Sequence, residues 1–346
     1  MKIIGCDFHP SFQQIAMLDL ETGELVRRRL MHASGEAGQF YRGLRGERVK
    51  VGIEASGNTR WFERLLQELG HELVMGDAAR IRAMVVRRQK TDARDADHLL
   101  QLLEREQFPE IWVPSAVERD LRQLVLHRQK LVQMRTRVKN QLQHVALNEG
   151  LQKKRQLWTV KGRQWLEDLS LPQWTERRRG DLLKLLDELN ATIAELSQAV
   201  EAQAQQDERV RLLMTHPGVG PITGLAFVLV VGDVNRFERS KKLCSYLGLI
   251  PSEESSGSRR RLGAISKQGN TLLRTLLVEA GQSASRCDPE LRRAYQRLCH
   301  KKQNTGIGKV MVARKLAVRL YWMLKDQQPY PPARMQSSPS HSVSAA

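Results

Sequence analysis

The chain has 346 residues, with 56 Lys and Arg against 38 Asp and Glu, giving a formal charge of +18 and a pI of about 10.1. Such a field attracts polyanions, of which nucleic acid is the commonest. The longest apolar run, "ITGLAFVLVVG" at residues 222–232, is well short of the ~20 residues of a membrane span and fits a buried helix or strand. No lipid-anchor signal accompanies the charge, so a membrane partner is not expected.

"MKIIGCDFHP" reads as a strand carrying an acid rather than a signal peptide. Cys6, Cys244, Cys287 and Cys299 are scattered, without a CxxC pair or a Cys/His cluster at zinc spacing. They are expected to be reduced thiols in a cytoplasmic protein.

"KIIGCDF", "QQIAMLDL" and "LVRRRLM" are three successive strands, the last two joined by the turn "ETGE", and together they form an antiparallel meander. "EAGQFYRGL" reads as a helix and "VKVGIEA" as a fourth strand. "NTRWFERLLQELG" is an amphipathic helix stopped by Gly70, and "HELVMG" is a fifth strand. "TDARDADHLLQLLERE" is a helix with Thr91 as its N-cap.

Strand signals then stop. Leu121, Leu124, Val125, Leu131, Val138, Leu142 and Val145 recur at helical spacing, as do Leu182, Leu185, Leu189, Ile193, Leu196 and Val200. Two long amphipathic helices follow, either a helical hairpin or an intermolecular coiled coil. "HPGVGPITG" has the small-residue turn of a helix-hairpin-helix, where backbone N–H groups can approach phosphate, and fits an ordinary tight turn nearly as well. The Pro/Ser-rich stretch from residue 327 to 346 is expected to be a disordered tail. The expected domains are 1–110, 111–207 and 208–326.

Asp92 and Asp95 fall on one face of their helix and Asp97 on another. Taken alone, they suit the helix dipole and the basic neighbours Arg87, Arg88, Lys90 and Arg94. Two further acids shift that reading. Asp7 interrupts the apolar first strand and Glu54 closes the fourth. An ionised carboxylate in a buried strand is costly unless paired or liganded. Hard divalent cations such as Mg²⁺ would relieve four converging carboxylates, and a pair of them can serve phosphoryl transfer. His9 shares the strand face of Asp7 and is expected to be structural.

Toward the C-terminus, "YLGLIPSEESSGSRRRLGAISKQGNTLLRTLLVEAG" places Ser255, Ser256 and Ser258 beside Arg259, Arg260 and Arg261. A serine hydroxyl becomes a nucleophile once its proton is removed and the phosphoryl charge is stabilised, which guanidiniums can do. A solvated, charged hairpin tip accounts for these residues equally well.

An Asp in the first strand, a Glu closing the fourth and a DxxD helix after the fifth resemble the ribonuclease H-like fold of RuvC-type junction nucleases. With the "SSG…RLGAISKQGNTLLR" block, the whole chain resembles the DEDD insertion-sequence transposases related to the Piv invertase, the bridge-RNA-guided recombinases. The resemblance implies an α/β RuvC-like domain, a central helical region and a mainly helical C-terminal transposase domain. It implies that Asp7, Glu54, Asp92 and Asp95 bind one or two Mg²⁺ ions, and that Ser256 is the nucleophile, with Ser255 as the runner-up. Donor and target DNA, a non-coding bridge RNA and a homo-oligomer, dimer or tetramer, follow from it, with active sites combining domains of different subunits. Arg87, Arg88, Lys90, Arg259, Arg260, Arg261, Lys267, Asn270 and Arg274 are then expected to contact nucleic acid. A RuvC-like junction nuclease needing only the four acids is the alternative, and a non-catalytic nucleic-acid scaffold ranks third because it leaves Asp7 and Glu54 unexplained.

Overall fold

The first strand is buried on both faces, and this sets the architecture of the N-terminal unit. In β1 (Lys2–Phe8), Ile4 and Cys6 face one side of the sheet and Ile3, Gly5 and Asp7 the other. The computed structural model describes residues 1–85, 91–150, 156–253, 255 and 261–331. By contact density the chain divides into two compact units, Met1–Val113 and Pro114–Ala346.

In the first unit, β1 is joined by β2 (Phe12–Asp19), β3 (Leu25–Met31), β4 (Val49–Glu54) and β5 (Glu72–Gly76) in the order β3-β2-β1-β4-β5. The first three strands pair antiparallel, and β4 and β5 add in parallel. This bears out the meander and gives the ribonuclease H-like order. Helices α1 (Glu36–Gly43) and α2 (Arg60–Leu69) accompany one face, where Ile4, Cys6, Val51, Ile53, Tyr41 and Phe62 form the main core. After the short α3 (Ala78–Ala83), helix α4 (Asp92–Glu104) lies on the opposite face over Ile3, Ala16 and Val74.

Glycine makes that approach possible. A Cβ on Gly5 would lie 2.9 Å from the Cα of Leu100 and would also strike the backbone of Ala96. Gly52, the register partner of Gly5, would meet Leu103 and Phe108 at 2.9 Å. The paired glycines form a flat seat for α4, Gly5 against helix backbone and Gly52 against the side chains of Leu103 and Phe108.

The second unit begins with α5 (Ala116–Asn148), opened by a capping box in which Ser115 and Glu118 exchange hydrogen bonds. Helix α6 (Val160–Glu167) follows, then α7 (Gln173–Gln206). At 33 and 34 residues, α5 and α7 are each roughly 50 Å long. They pair within one chain: Val138 and Leu142 share a cluster with Leu183, Leu186 and Leu189, while Val125 shares one with Val200 and Ala204. That crossing order makes the hairpin antiparallel. Val125, Val200 and Ala204 also belong to the C-terminal core, so the central helices do not form a unit of their own.

That core surrounds α9 (Pro221–Val231), which follows α8 (Glu208–Met214) and is buried from Thr223 to Val231. The 222–232 run is therefore a helix. A helix buried all round must find donors for its last carbonyls. Arg122 of α5 donates to the Leu229 carbonyl at 2.9 Å, and Arg236 to that of Val231 at 2.8 Å. The chain continues through α10 (Ser240–Tyr246), a hairpin of β6 (Pro251–Glu253) and β7 (Leu262–Ile265), and then α11 (Thr271–Cys287), α12 (Pro289–Lys302) and α13 (Thr305–Asp326). No helix among the described residues is long and apolar enough to cross a membrane, and all four cysteines are unbridged.

The turn between α8 and α9 looks inward. Gly218, at φ +90°, packs so closely on α11 that a Cβ would lie 2.5 Å from the Ala284 nitrogen. His216 is fully buried, with Nδ1 2.8 Å from the Pro217 carbonyl and its ring 4.1 Å from that of Tyr330. The Tyr330 hydroxyl donates to Asp288, which is 2% exposed and also pairs with Arg319 at 2.7 Å. The stretch expected to be tail is therefore docked at Tyr330.

This network sets an acid limit. Burial lowers the His216 pKa to about 4, aided by the Arg319 charge and opposed by the Pro217 carbonyl and Asp288. Unfolded histidine takes a proton near pH 6.5 and the folded ring does not. Its contribution is therefore complete above pH 6.5 and lost as pH falls through about 4, on the order of 3 kcal/mol. For Asp288, burial alone would raise the pKa, but the bonds from Tyr330, the Leu291 N–H and Arg319 outweigh it and hold the carboxyl at about 2. Its contribution is lost only below the ordinary carboxylate range. Urea unfolding at pH 6.5 and 4.5 is expected to show a loss of roughly 2–3 kcal/mol, much reduced in His216→Asn.

Candidate metal centre and serine loop

Strand β1 delivers Asp7 at its C-terminal end, on the face covered by α4. The N-terminus of α4 is fixed by Thr91, whose hydroxyl oxygen accepts from the Arg94 N–H at 3.4 Å. Asp92 and Asp95 occupy the first turn. His9 Nε2 lies 3.0 Å from Asp7 Oδ2 and 3.7 Å from Asp92 Oδ1. Donor atoms of Asp7, His9 and Asp92 all lie within 4.8 Å of one another, and this is the one such group among the described residues.

Burial raises the Asp7 pKa, and the charges of Asp95 and Asp92 push the same way, while His9 pulls it down by charge and hydrogen bond. A half-buried carboxylate crowded by two others is short of positive charge. Two carboxylate oxygens and one imidazole nitrogen, with Asp95 in electrostatic reach, fit a divalent cation.

Glu54 is placed by register. The parallel pairing of β1 and β4 runs from Lys2↔Val49 to Cys6↔Ile53, so Asp7 and Glu54 come next, side by side on adjacent strand ends. Both are on the face opposite Cys6 and Ile53. Asp97 points elsewhere and pairs with Arg27 of β3 at 2.8 Å.

His9, expected to be structural, stands inside the acidic group. Its ring stacks on Phe12 at 4.4 Å, and Phe12 carries the Arg29 guanidinium on its ring at 3.7 Å. The usable signal is the spacing Asp7-x-His9, which puts both side chains on one strand face.

In the second unit, the β6–β7 hairpin holds the described part of the serine loop. The exposed Ser255 hydroxyl donates to Glu253 Oε1 at 2.9 Å and accepts from the Arg261 N–H at 3.2 Å. Ser256, Arg259 and Arg260 lie outside the described residues, as do Arg87, Arg88 and Lys90. Arg261 and Lys267 are exposed.

Two of the residues expected to contact nucleic acid also have structural tasks. Asn270 caps α11, accepting from the Leu273 N–H at 2.9 Å. Arg274 donates to the carbonyls of Leu247 and Gln268 at 3.2 and 3.1 Å and to the Thr271 hydroxyl. It ties the turn before α11 to the end of α10.

A ribonuclease H-like sheet with clustered acids, followed by a helical unit with a serine hairpin, is the architecture of a DEDD transposase. A family model described as "Transposase" (DEDD_Tnp_IS110) matches residues 4–149, and one described as "Transposase IS116/IS110/IS902 family" matches residues 210–296. A probable family 20 transposase of Pseudomonas aeruginosa is 30% identical over 94% of this chain and 97% of its own length. The transposase for insertion sequence element IS1111A of Coxiella burnetii is 26% identical over 83% of this chain and 78% of its own. The pilin gene-inverting protein of Moraxella lacunata is 24% identical over 70% of this chain and 68% of its own. The chain belongs to the IS116/IS110/IS902 family of transposases, enzymes that recombine the DNA of insertion sequences.

Proposed function

We propose that this transposase moves its element through a covalent serine–DNA intermediate, assisted by Mg²⁺ bound by Asp7, Glu54, Asp92 and Asp95. The observation that carries the reading is the convergence of Asp7, His9 and Asp92 at the end of β1. Bound there, one or two divalent cations would stabilise charge on the scissile phosphate and its attacking and leaving oxygens.

The serine Oγ attacks phosphorus, its proton passing to a neighbouring base, as the bond from phosphorus to the leaving deoxyribose oxygen breaks and that oxygen takes up a proton. Attack by a deoxyribose hydroxyl of the other strand reverses the step and releases the serine. One phosphoester replaces another throughout, so rejoining needs no ATP. Glu253, which accepts the Ser255 hydrogen bond, is a place for that proton. Ser256 remains the assignment from the family pattern, and Ser255 is the residue with a carboxylate at hand. The name of the Moraxella relative also supports rejoining, because inverting a gene requires strands to be exchanged as well as cut.

Target choice is assigned to an element-encoded bridge RNA paired with donor and target DNA, in keeping with the +18 charge. The working form is a cytoplasmic homo-oligomer, a dimer or tetramer, countable by light scattering with and without nucleic acid.

Incubation with element-end DNA, Mg²⁺ and the bridge RNA, followed by denaturation and peptide mapping, tests the chemistry. A DNA adduct is expected on Ser256 or Ser255 and is expected to vanish when that serine becomes alanine. Cleavage that survives Ser255→Ala/Ser256→Ala without an adduct would identify a RuvC-like nuclease instead.

A further inference from the structure

Next in sequence to Asp7, on the sheet face opposite α4, stands an aromatic cluster that the chemistry above does not use. Phe8 follows Asp7 directly, and its ring lies 5.2 Å from His32, 5.6 Å from Phe62 and 5.9 Å from Trp61. His32 meets Trp61 at 4.8 Å with the ring planes 75° apart. His32 Nδ1 is 3.0 Å from the carbonyl of Pro10, on the short loop that also carries His9. The cluster and the acidic group are therefore built on the same few residues at the end of β1.

Phe62 behind it is buried, whereas Trp61 is 37% exposed. It stands in the first turn of α2, on the chain leaving Glu54, with one part against Phe8, Phe62 and His32 and the rest in solvent. Arg60 and Arg64, one residue before it and one helical turn after it, are exposed cations. An indole held from behind, flanked by cations and a few residues from a phosphate-handling centre, suits a flat, electron-rich group attached to a phosphodiester.

We propose that Trp61 is the stacking platform for an unpaired nucleobase next to the scissile phosphate. The proposal rests on the reading that this phosphate is handled at Asp7 and Asp92. Phe8 and His32 fix the indole plane, and Arg60 and Arg64 hold the adjoining backbone. Every base has a π-face, so the contact serves any sequence the RNA selects, and its loss weakens single-strand binding about tenfold to a hundredfold.

The probe is a set of element-end oligonucleotides carrying 2-aminopurine at successive positions around the cleavage site, bound to the full-length protein. Wild type is expected to quench 2-aminopurine at one position adjoining the cut, and Trp61→Phe to preserve this. Trp61→Leu, which keeps apolar volume against Phe8 and Phe62, is expected to restore emission there and weaken binding by the stated factor. Trp61→Ala should do the same. Unchanged quenching and affinity in Trp61→Leu would overturn the platform, as would a fall in thermal stability alone. Mg²⁺-dependent cleavage by wild type, and its loss in Asp7→Asn, reports on the underlying reading separately: quenching without cleavage would leave the stacking and remove the metal centre.

Discussion

Asp7→Asn is expected to abolish Mg²⁺-dependent strand cleavage, on the order of a thousandfold or more, while leaving the protein folded. Metal-assisted charge stabilisation is worth several kcal/mol in the transition state, and a thousandfold corresponds to about 4 kcal/mol. Asp7 bonds to His9 and lies in the fields of Asp92 and Asp95. Burial and the neighbouring acids already disfavour its ionised form. A neutral amide of the same shape is therefore expected to leave the metal-free protein at least as stable as wild type.

Metal binding should reveal the difference. Mg²⁺ at about a hundred times its dissociation constant adds about 2.7 kcal/mol to unfolding, and Asp7→Asn is expected to lose that gain. Calorimetry with and without Mg²⁺, beside a cleavage assay, checks both halves. If His9 only orients Asp7, His9→Ala costs about 10–100-fold, a smaller loss than that of Asp7→Asn. Cleavage by Asp7→Asn at the wild-type rate would remove the metal centre.

Gly5→Ala is the second large effect. A single methyl group is normally tolerated on a strand, but here it would fall on the backbone of α4, with the Leu100 Cα only 2.9 Å away. Side chains can turn aside; a helix backbone has to translate. The cost is expected to be about 3 kcal/mol. Since α4 carries Asp92 and Asp95, a shift of about an ångström should also lower cleavage roughly 100-fold. Gly180 lies inside α7 and is exposed, and a Cβ there would meet no neighbouring heavy atom within 4 Å. Gly180→Ala should therefore stabilise by about 0.5–1 kcal/mol. Urea denaturation of the two variants separates close approach from helix propensity.

The parts of this fold that are legible in the sequence are those whose signal is local. Short apolar runs mark β1, β2, β4 and β5 of the first sheet, and Asp7 and Glu54 stand out because charge is costly in such runs. The helix carrying Asp92 and Asp95 signals its own start at Thr91. What escapes depends on partners distant in sequence. The stripes of α5 and α7 fit self-pairing or a second chain equally, and the clusters of Val125 with Val200 and of Leu142 with Leu186 show them packed within one chain. Asn270 and Arg274 have the chemistry to hold phosphate, and a helix start and three acceptors around one turn also engage them. Tyr330 lies in a Pro/Ser-rich stretch whose average composition hides one aromatic residue able to reach Asp288 and His216. His9 is expected to be structural because Asp92, which completes its acidic group, comes from the distant helix α4.

Strand β3 closes the sheet on one side, and among the described residues no strand bonds to its outer backbone N–H and C=O groups. Such a border invites another chain to continue the sheet, and unchecked it leads to insoluble aggregates. Arg27, Arg28 and Arg29 stand in the middle of that strand, and most of it is solvent-exposed. Two copies approaching border to border would bring six guanidinium groups together, and the mutual repulsion favours keeping them apart. The charge on this border thus guards the protein against itself.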